Sequence, residues 1–330
     1  MKIAVFSTKS YDQEYFEAYN QHEMLSFTFF ETALNVATAN LANGYDAICI
    51  FVNDVVDQEV IEILSENAVK LIALRCAGYN NVNIQAATDA GIPVVRVPAY
   101  SPAAIAEHAM ALILTLNRKT HKAYNRVREG NFSLKNLIGF NLSGKTVGGI
   151  GTGEIGAAFC KVLSGFGCDV IAFDVVWNKD LEAAGVKYLS LEEVFAQSDI
   201  ISLHCPLNEH TKHMINEESL ATMKDGVMII NTSRGALINT SDMLEALIDR
   251  KVGYLGIDVY EQEENLFFED LSERIIQDEI ILRLMSFPNV LVTSHQAFFT
   301  REAMEEITMT TINNLLSFHR NEPLKNEVKI

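Results

Sequence analysis

The sequence predicts an α/β protein built from two parallel-sheet units, and three observations carry that prediction. Short apolar runs alternate with amphipathic, helix-like stretches along most of the chain. A G-x-G-x-x-G turn at Gly151, Gly153 and Gly156 stands between an apolar run and a helical pattern, far from the N-terminus. The chain has 330 residues, more than one hydrophobic core usually serves, so two domains are expected.

Taken in order, strand candidates fall at residues 2–7, 25–29, 47–51, 71–74 and 94–96, with helix-like stretches at 58–66 and 83–90 between them. Pro98 and Pro102 bracket a break, and residues 99–102 are read as the crossing between domains. Residues 103–128 then read as one long helix. A second unit opens with the strand at 146–150, the glycine turn and a helix carrying Ile155, Phe159, Val162 and Leu163 on one face. Further strands are predicted at 170–173, 200–204, 227–231, 253–258 and 290–293, with helices at 191–197, 217–223 and 240–249. The last helix, 301–319, follows a sheet that is already complete, so it is expected to return to the first domain and make that domain discontinuous. The domain boundaries expected are 1–100 with 299–330, and 101–298.

The glycine turn has a mechanical reading. Its first glycine allows the tight turn, the second lets a pyrophosphate approach the backbone, and the third lets helix and strand pack closely. The helix start adds free N–H groups and partial positive charge. Asp174 closes the next strand eighteen residues past Gly156, where a carboxylate can accept from both adenosine ribose hydroxyls. A negative charge there repels a 2′-phosphate, and no arginine follows in VVWNKD to receive one, so NAD is the expected cofactor.

Composition excludes several classes. A formal net charge of −17 without a basic run repels nucleic acid and anionic membranes. No apolar run approaches membrane-spanning length, and the N-terminus reads as a strand without a signal-peptide pattern. The five cysteines, Cys49, Cys76, Cys160, Cys168 and Cys205, show no C-x-x-C pair and no metal spacing, and their odd number suits a reducing compartment. The expectation is a cytoplasmic protein without a metal.

Three polar stretches follow apolar strands, where open α/β sheets bind ligands: NTSRG with Arg234, DVYEQE with Asp258 and Glu263, and SHQA with His295. An arginine anchor for a carboxylate, a proton donor and an acid that orients it suit keto-acid reduction. Any one of the eight histidines, taken alone, is more often structural or exposed than catalytic. His22, His210, His213 and His319 lie in polar surroundings and receive no role. His108 and His121 suit domain packing, and His204 a structural place beside the nucleotide fold. His295 stands apart because Arg234 and Glu263 occupy equivalent strand ends.

The stretches IALRCAGYNNVN, VVRVPAYSPAAIAEHAM, GIGTGEIG, ISLHCPL, MIINTSRGALI, GIDVYEQE, NLFFED and SHQAFFT, spread along the chain, resemble the D-2-hydroxyacid dehydrogenase family. NLFFED and HQAF are similar to its bacterial fermentative D-lactate dehydrogenase branch. That resemblance implies two doubly wound parallel-sheet domains, a Rossmann NAD-binding domain inserted in a flavodoxin-like catalytic domain. It implies reduction of pyruvate to D-lactate with NADH, reversibly. By the same resemblance Arg234 would bind the pyruvate carboxylate, and His295 would exchange the proton. Glu263 would hydrogen-bond the imidazole and favour its charged form. Backbone at Ala77 and Gly78 would face the carboxylate; Phe51, Tyr100 and Phe298 would line the site. Glu154 and Ile155 would offer N–H groups to the pyrophosphate, Pro206 and Thr232 would flank the nucleotide, and Asp258 would lie near the nicotinamide amide. A homodimer or homotetramer is implied as well. Two alternatives stay open: an enzyme preferring a bulkier 2-keto acid, such as 2-ketoisocaproate or phenylpyruvate, and an NAD-sensing, co-repressor-like binding protein.

Overall fold

The computed structural model describes residues 1–263 and 266–329. Asn265, the first residue of the NLFFED stretch, lies outside the described residues. The chain divides into two compact units, one formed by Met1–Ser101 with Phe299–Ile330 and the other by Pro102–Phe298.

In the first unit the elements run β1 (Lys2–Val5), α1 (Ser10–Tyr19), β2 (Ser26–Phe29), β3 (Ala47–Ile50), α2 (Gln58–Glu66), β4 (Ile72–Leu74), α3 (Ile84–Asp89) and β5 (Val94–Val95). The strands are all parallel and lie in the order β2-β1-β3-β4-β5. This is the doubly wound flavodoxin-like order, in which helices cover both faces. Strands covered on both faces need continuous apolar runs, and AICI in β3 is buried at every position. Asp57 and Asn83 cap α2 and α3 by accepting from Val60 N and Ala86 N. Ile312, Leu315 and Leu316 from the chain's last helix join the core of Ile3, Val5, Phe16, Cys49 and Leu71. Under the sheet, Arg75 is fully buried with its Nε 3.2 Å from Asp12 Oδ1 and its Nη2 donating to Ser7 O at 2.8 Å. Such a pair survives burial because the charges meet each other and the arginine meets a carbonyl as well.

The second unit begins with α4 (Pro102–Arg118) and α5 (Thr120–Arg128). The single helix expected over 103–128 is therefore two. Lys119 breaks it in a left-handed conformation, φ 52°. Tertiary bonds hold the break: Lys119 Nζ donates to Asn136 O at 2.9 Å, and buried Asn117 exchanges two hydrogen bonds with the Phe140 backbone. A helical period cannot report contacts made twenty residues away.

Then follow β6 (Thr146–Ile150), α6 (Glu154–Gly165), β7 (Asp169–Phe173), α7 (Lys179–Ala183), β8 (Lys187–Tyr188), α8 (Leu191–Gln197), β9 (Ile200–Leu203), α9 (Glu217–Thr222), β10 (Val227–Asn231), α10 (Thr240–Ile248), β11 (Val252–Ile257), α11 (Glu279–Ser286) and β12 (Val290–Val292). The last helix, α12 (Arg301–His319), belongs to the first unit. The seven parallel strands lie in the order β12-β11-β10-β9-β6-β7-β8. Counted from β6 outward, this is the dinucleotide-binding 3-2-1-4-5-6 order with one strand added at the far edge. Phe159, Cys160 and Leu163 of α6 are buried, whereas Ile155 and Val162 of the predicted apolar face are only partly so. The two-residue β8 is too short for any apolar alternation to announce it.

Candidate active site

The order of the larger sheet reverses at β6 and β9, the switch point where open α/β sheets bind nucleotides. Gly151 leaves β6 with φ 93°, and a Cβ on it would stand 2.6 Å from the His204 backbone. A Cβ on Gly156 would overlap the Gly151 carbonyl. At Gly153, by contrast, a Cβ would meet nothing within 4 Å, so the backbone there is open to a ligand. Glu154 and Ile155 lie in the first turn of α6, ahead of Ala157, whose N–H donates back to Gly153 O. Thr232, just past β10, is buried with its hydroxyl unpartnered among the described residues. An open glycine backbone, a helix start and an orphaned buried hydroxyl fit a dinucleotide on its phosphate side.

Asp174 ends the neighbouring strand. Its Oδ2 accepts from Thr152 N at 2.5 Å and Thr152 Oγ1 at 3.0 Å, and its Oδ1 accepts from Val176 N at 3.1 Å. A carboxylate offers about four acceptor positions. Three are filled, leaving direct capacity for one ribose hydroxyl at Oδ1 rather than for both. Pro206 is exposed, and its carbonyl accepts from Thr211 Oγ1 at 2.6 Å. His204 lies beneath the glycine turn; burial pushes its imidazole down to about 3, so it stays neutral. That matches the structural reading of this histidine.

Beyond the neighbouring strands β10, β11 and β12 stand Arg234, Glu263 and His295, which parallel pairing brings to the same edge of the sheet. His295 Nδ1 lies 2.9 Å from Glu263 Oε1, and Glu263 Oε2 accepts from Tyr260 N at 3.0 Å. The acid is thus held from its own loop while it holds the imidazole, which leaves His295 Nε2 for a substrate. Arg234 Nη1 donates to Ser233 O at 2.7 Å. Among the described residues no carboxylate pairs with Arg234, so most of its planar donor set stays available for an incoming anion.

His295 has φ 52°, a left-handed conformation that costs a side-chain-bearing residue about 1 kcal/mol or more. Asp258 holds it there. This fully buried carboxylate accepts from Gln296 N at 2.9 Å, Ala297 N at 2.8 Å and the Thr293 hydroxyl, while its backbone oxygen accepts from His295 N at 2.7 Å. His108, from α4, completes the cluster with Nε2 3.1 Å from Thr293 Oγ1 and 3.3 Å from Asp258 Oδ1. Burial pushes the Asp258 carboxyl up, but the His108, Thr293 and Ala297 bonds outweigh it and leave it below its ordinary value. The structure thus brings Asp258 to the strand end as expected, with its carboxylate committed to the His295 loop. Nothing local in the sequence links His108 to Thr293; only the fold joins them. His213, given nothing for its polar neighbours, lies 2.6 Å from Glu261 Oε1.

Phe298, in the same unit, is buried two residues beyond Gln296. The remaining predicted residues belong to the first unit. Phe51 is buried, with the Arg75 guanidinium 4.6 Å from its ring centre. Ala77 O accepts from Arg96 Nη1 at 2.7 Å, and Gly78 O accepts from Cys76 Sγ at 3.3 Å, which turns this short glycine segment into a fixed loop after β4. Tyr100 is half-buried.

The sequence model described as D-isomer specific 2-hydroxyacid dehydrogenase, NAD binding domain, matches residues 110–297. A 2-hydroxyacid dehydrogenase homolog of Haemophilus influenzae is 51% identical over 328 residues, covering 99% of each chain. The D-lactate dehydrogenase of Escherichia coli K12 is 50% identical over 328 residues, covering 99% of this chain and 100% of that one. A solved structure described as the pyruvate reductase of Chlamydomonas reinhardtii superposes with a TM-score of 0.92 at 45% identity, covering 99% of this chain and 98% of the other.

Proposed function

The chain belongs to the D-isomer specific 2-hydroxyacid dehydrogenase family, and we propose that within it this protein is an NAD-dependent D-lactate dehydrogenase that reduces pyruvate. The Glu263–His295 pair, at the sheet edge that also carries Arg234, is the observation that supports the reading most directly. Bound NADH supplies the hydride that reduces the keto carbon. Arg234 takes the substrate carboxylate in its planar fork and polarises the keto group. His295, held at Nδ1 by Glu263, gives the proton on Nε2 to the keto oxygen and recovers one from solvent; in lactate oxidation it accepts the proton instead. The Glu263 hydrogen bond fixes the plane of the ring. Asp258 acts through the loop it anchors, fixing where His295 stands. Phe51, Ala77, Gly78 and Tyr100 in the first unit, and Phe298 in the second, are the proposed substrate contacts. Gly151, Gly153, Glu154, Ile155, Gly156, Asp174, Pro206 and Thr232 are proposed for the cofactor.

Phe132, Leu134 and Ile138, 75, 82 and 85% exposed on the segment after α5, are apolar groups of the kind a second copy covers, which supports a homodimer or a dimer of dimers. Light scattering tests it, and a monomer at micromolar concentration would remove it. Five free thiols suit a reducing cytoplasmic compartment. Among the described residues no helix is long and apolar enough to cross a membrane.

The deciding experiment is a chiral product assay with pyruvate and either NADH or NADPH, alongside 2-ketoisocaproate and phenylpyruvate. D-Lactate from NADH, with the highest kcat/KM on pyruvate, is expected. L-lactate, or a higher kcat/KM on either larger acid, overturns the assignment.

A further inference from the structure

We propose that Thr152 and Tyr188 set the preference for NAD over its 2′-phosphorylated form by locking the Asp174 carboxylate in place. The inference rests on the dinucleotide reading of the glycine turn and deepens it. Thr152 is the residue between the first two glycines, and its side chain is spent on Asp174. A hydroxyl has one proton to give. The Thr152 proton goes to Asp174 Oδ2 at 3.0 Å, so its oxygen is left to accept, and it accepts from the Tyr188 hydroxyl at 2.9 Å. The Tyr188 oxygen in turn accepts from Asn178 N at 2.9 Å. Every donor in the chain Asn178, Tyr188, Thr152 therefore points toward the carboxylate, and the Thr152 backbone N–H adds a further bond to the same oxygen.

Thr152 and Tyr188 are 3% and 9% exposed, so water competes little for these bonds and each strengthens the next. The tyrosine is itself fixed: it lies in β8, which pairs with β7, and its ring stacks on Trp177 at 5.1 Å and 15°. Among the described residues Oδ1 accepts from the Val176 N–H alone, and it keeps capacity for a ribose hydroxyl. A carboxylate free to turn can swing away from an incoming 2′-phosphate. One pinned at both oxygens cannot, so its charge stays where the phosphate would have to sit. Discrimination then comes from a built-in repulsion as well as from the ribose bond. Thr152 and Tyr188 are positioning residues here, acting through Asp174.

The test measures dissociation constants for NADH and NADPH by calorimetry, and in parallel by the emission of Trp177, the chain's only tryptophan. The proteins are wild type, Thr152→Val, Thr152→Ser and Tyr188→Phe, each with its unfolding midpoint. Loss of one bond to a charged group predicts about tenfold weaker NADH binding in Thr152→Val, and a fall of about tenfold in the NADPH-to-NADH ratio of dissociation constants. Thr152→Ser restores both, because the hydroxyl returns. Tyr188→Phe, which keeps the ring on Trp177, shifts the ratio in the same direction by a smaller factor and carries the test if Thr152→Val does not fold. An unchanged ratio in a folded Thr152→Val or Tyr188→Phe overturns the proposal, even if NADH affinity falls, since a merely structural role weakens both cofactors alike. Wild type that binds neither cofactor would overturn the cofactor reading itself, and this inference with it.

Discussion

At the scale of single residues, the roles proposed for Arg234 and His295 belong to different stages of one reaction, and the difference is measurable. Arg234→Lys exchanges a planar fork for a point charge. Weakening a charge-assisted pair by about 1.5–3 kcal/mol predicts a rise in KM of about ten- to a hundredfold. His295→Asn removes the proton donor, so kcat should fall by about 10²–10⁴. Steady-state kinetics with pyruvate, with single-turnover rates to confirm that chemistry is limiting, separates the two; wild-type kcat in His295→Asn under that condition would sink the donor role. Both stand out as candidates because each lies just past an apolar run, and position after a strand is written in the sequence. Their restraints are not. The left-handed backbone of His295 and the bonds from His108 and Thr293 to Asp258 depend on elements far apart in the chain, and no local pattern carries them. His213 keeps the polar, partly exposed surroundings its neighbours suggest, and the fold adds a partner, Glu261, 2.6 Å away.

At the scale of an element, the turn between β6 and α6 separates two functions of glycine that a motif runs together. A methyl group on Gly156 would overlap the Gly151 carbonyl, whereas one on Gly153 meets open space. Gly156→Ala should therefore lower stability by about 1–3 kcal/mol, the usual cost of overpacking against backbone. Gly153→Ala should keep the wild-type melting temperature and lose NADH affinity, because its methyl occupies space a pyrophosphate needs. Calorimetry on both proteins checks the pair, and wild-type NADH binding by Gly153→Ala would show that the open backbone is not the phosphate site. This element was readable from residue order alone, since strand, turn and helix are contiguous and each obeys a local rule. Where local rules meet tertiary bonds they fail, as at Lys119, whose break in the long helix is fixed by Asn136 and Ile138 carbonyls. The short β8 fails for want of length: two residues show no period, though Tyr188 among them reaches the glycine turn.

At the scale of the whole molecule, the acidic character sets how stability should follow pH, and two effects compete. A net charge of −17 at neutral pH makes the folded chain repel itself, so acidification toward the isoelectric point near 4.9 should stabilise it at first. Against this stand three carboxylates of the second unit. Burial pushes each up, but hydrogen bonds and opposite charge prevail and hold it below its ordinary value: Lys224 and Thr146 N for Asp199, His108 and Thr293 for Asp258, His213 and Thr240 for Glu261. An acid with a depressed folded pKa contributes stability above its unfolded pKa and loses it as pH falls through the folded one. That loss begins near 4.5 for Glu261 and 3.8 for the two aspartates, and grows below. In the first unit Asp54 behaves oppositely. Burial raises it despite bonds from Phe51 N, Leu34 N and Ser7, so its contribution is full below 3.8 and declines as pH rises through its raised value. The second unit should accordingly lose stability as pH falls below 4.5, while the first resists acid better. Each kcal/mol lost lowers the melting temperature of a unit this size by about 2–4 °C. Thermal proteolysis from pH 7 to pH 3.5, read by mass spectrometry of fragments from each unit, measures the two separately. Equal acid sensitivity of both units would show that global charge, rather than these four carboxylates, governs the response.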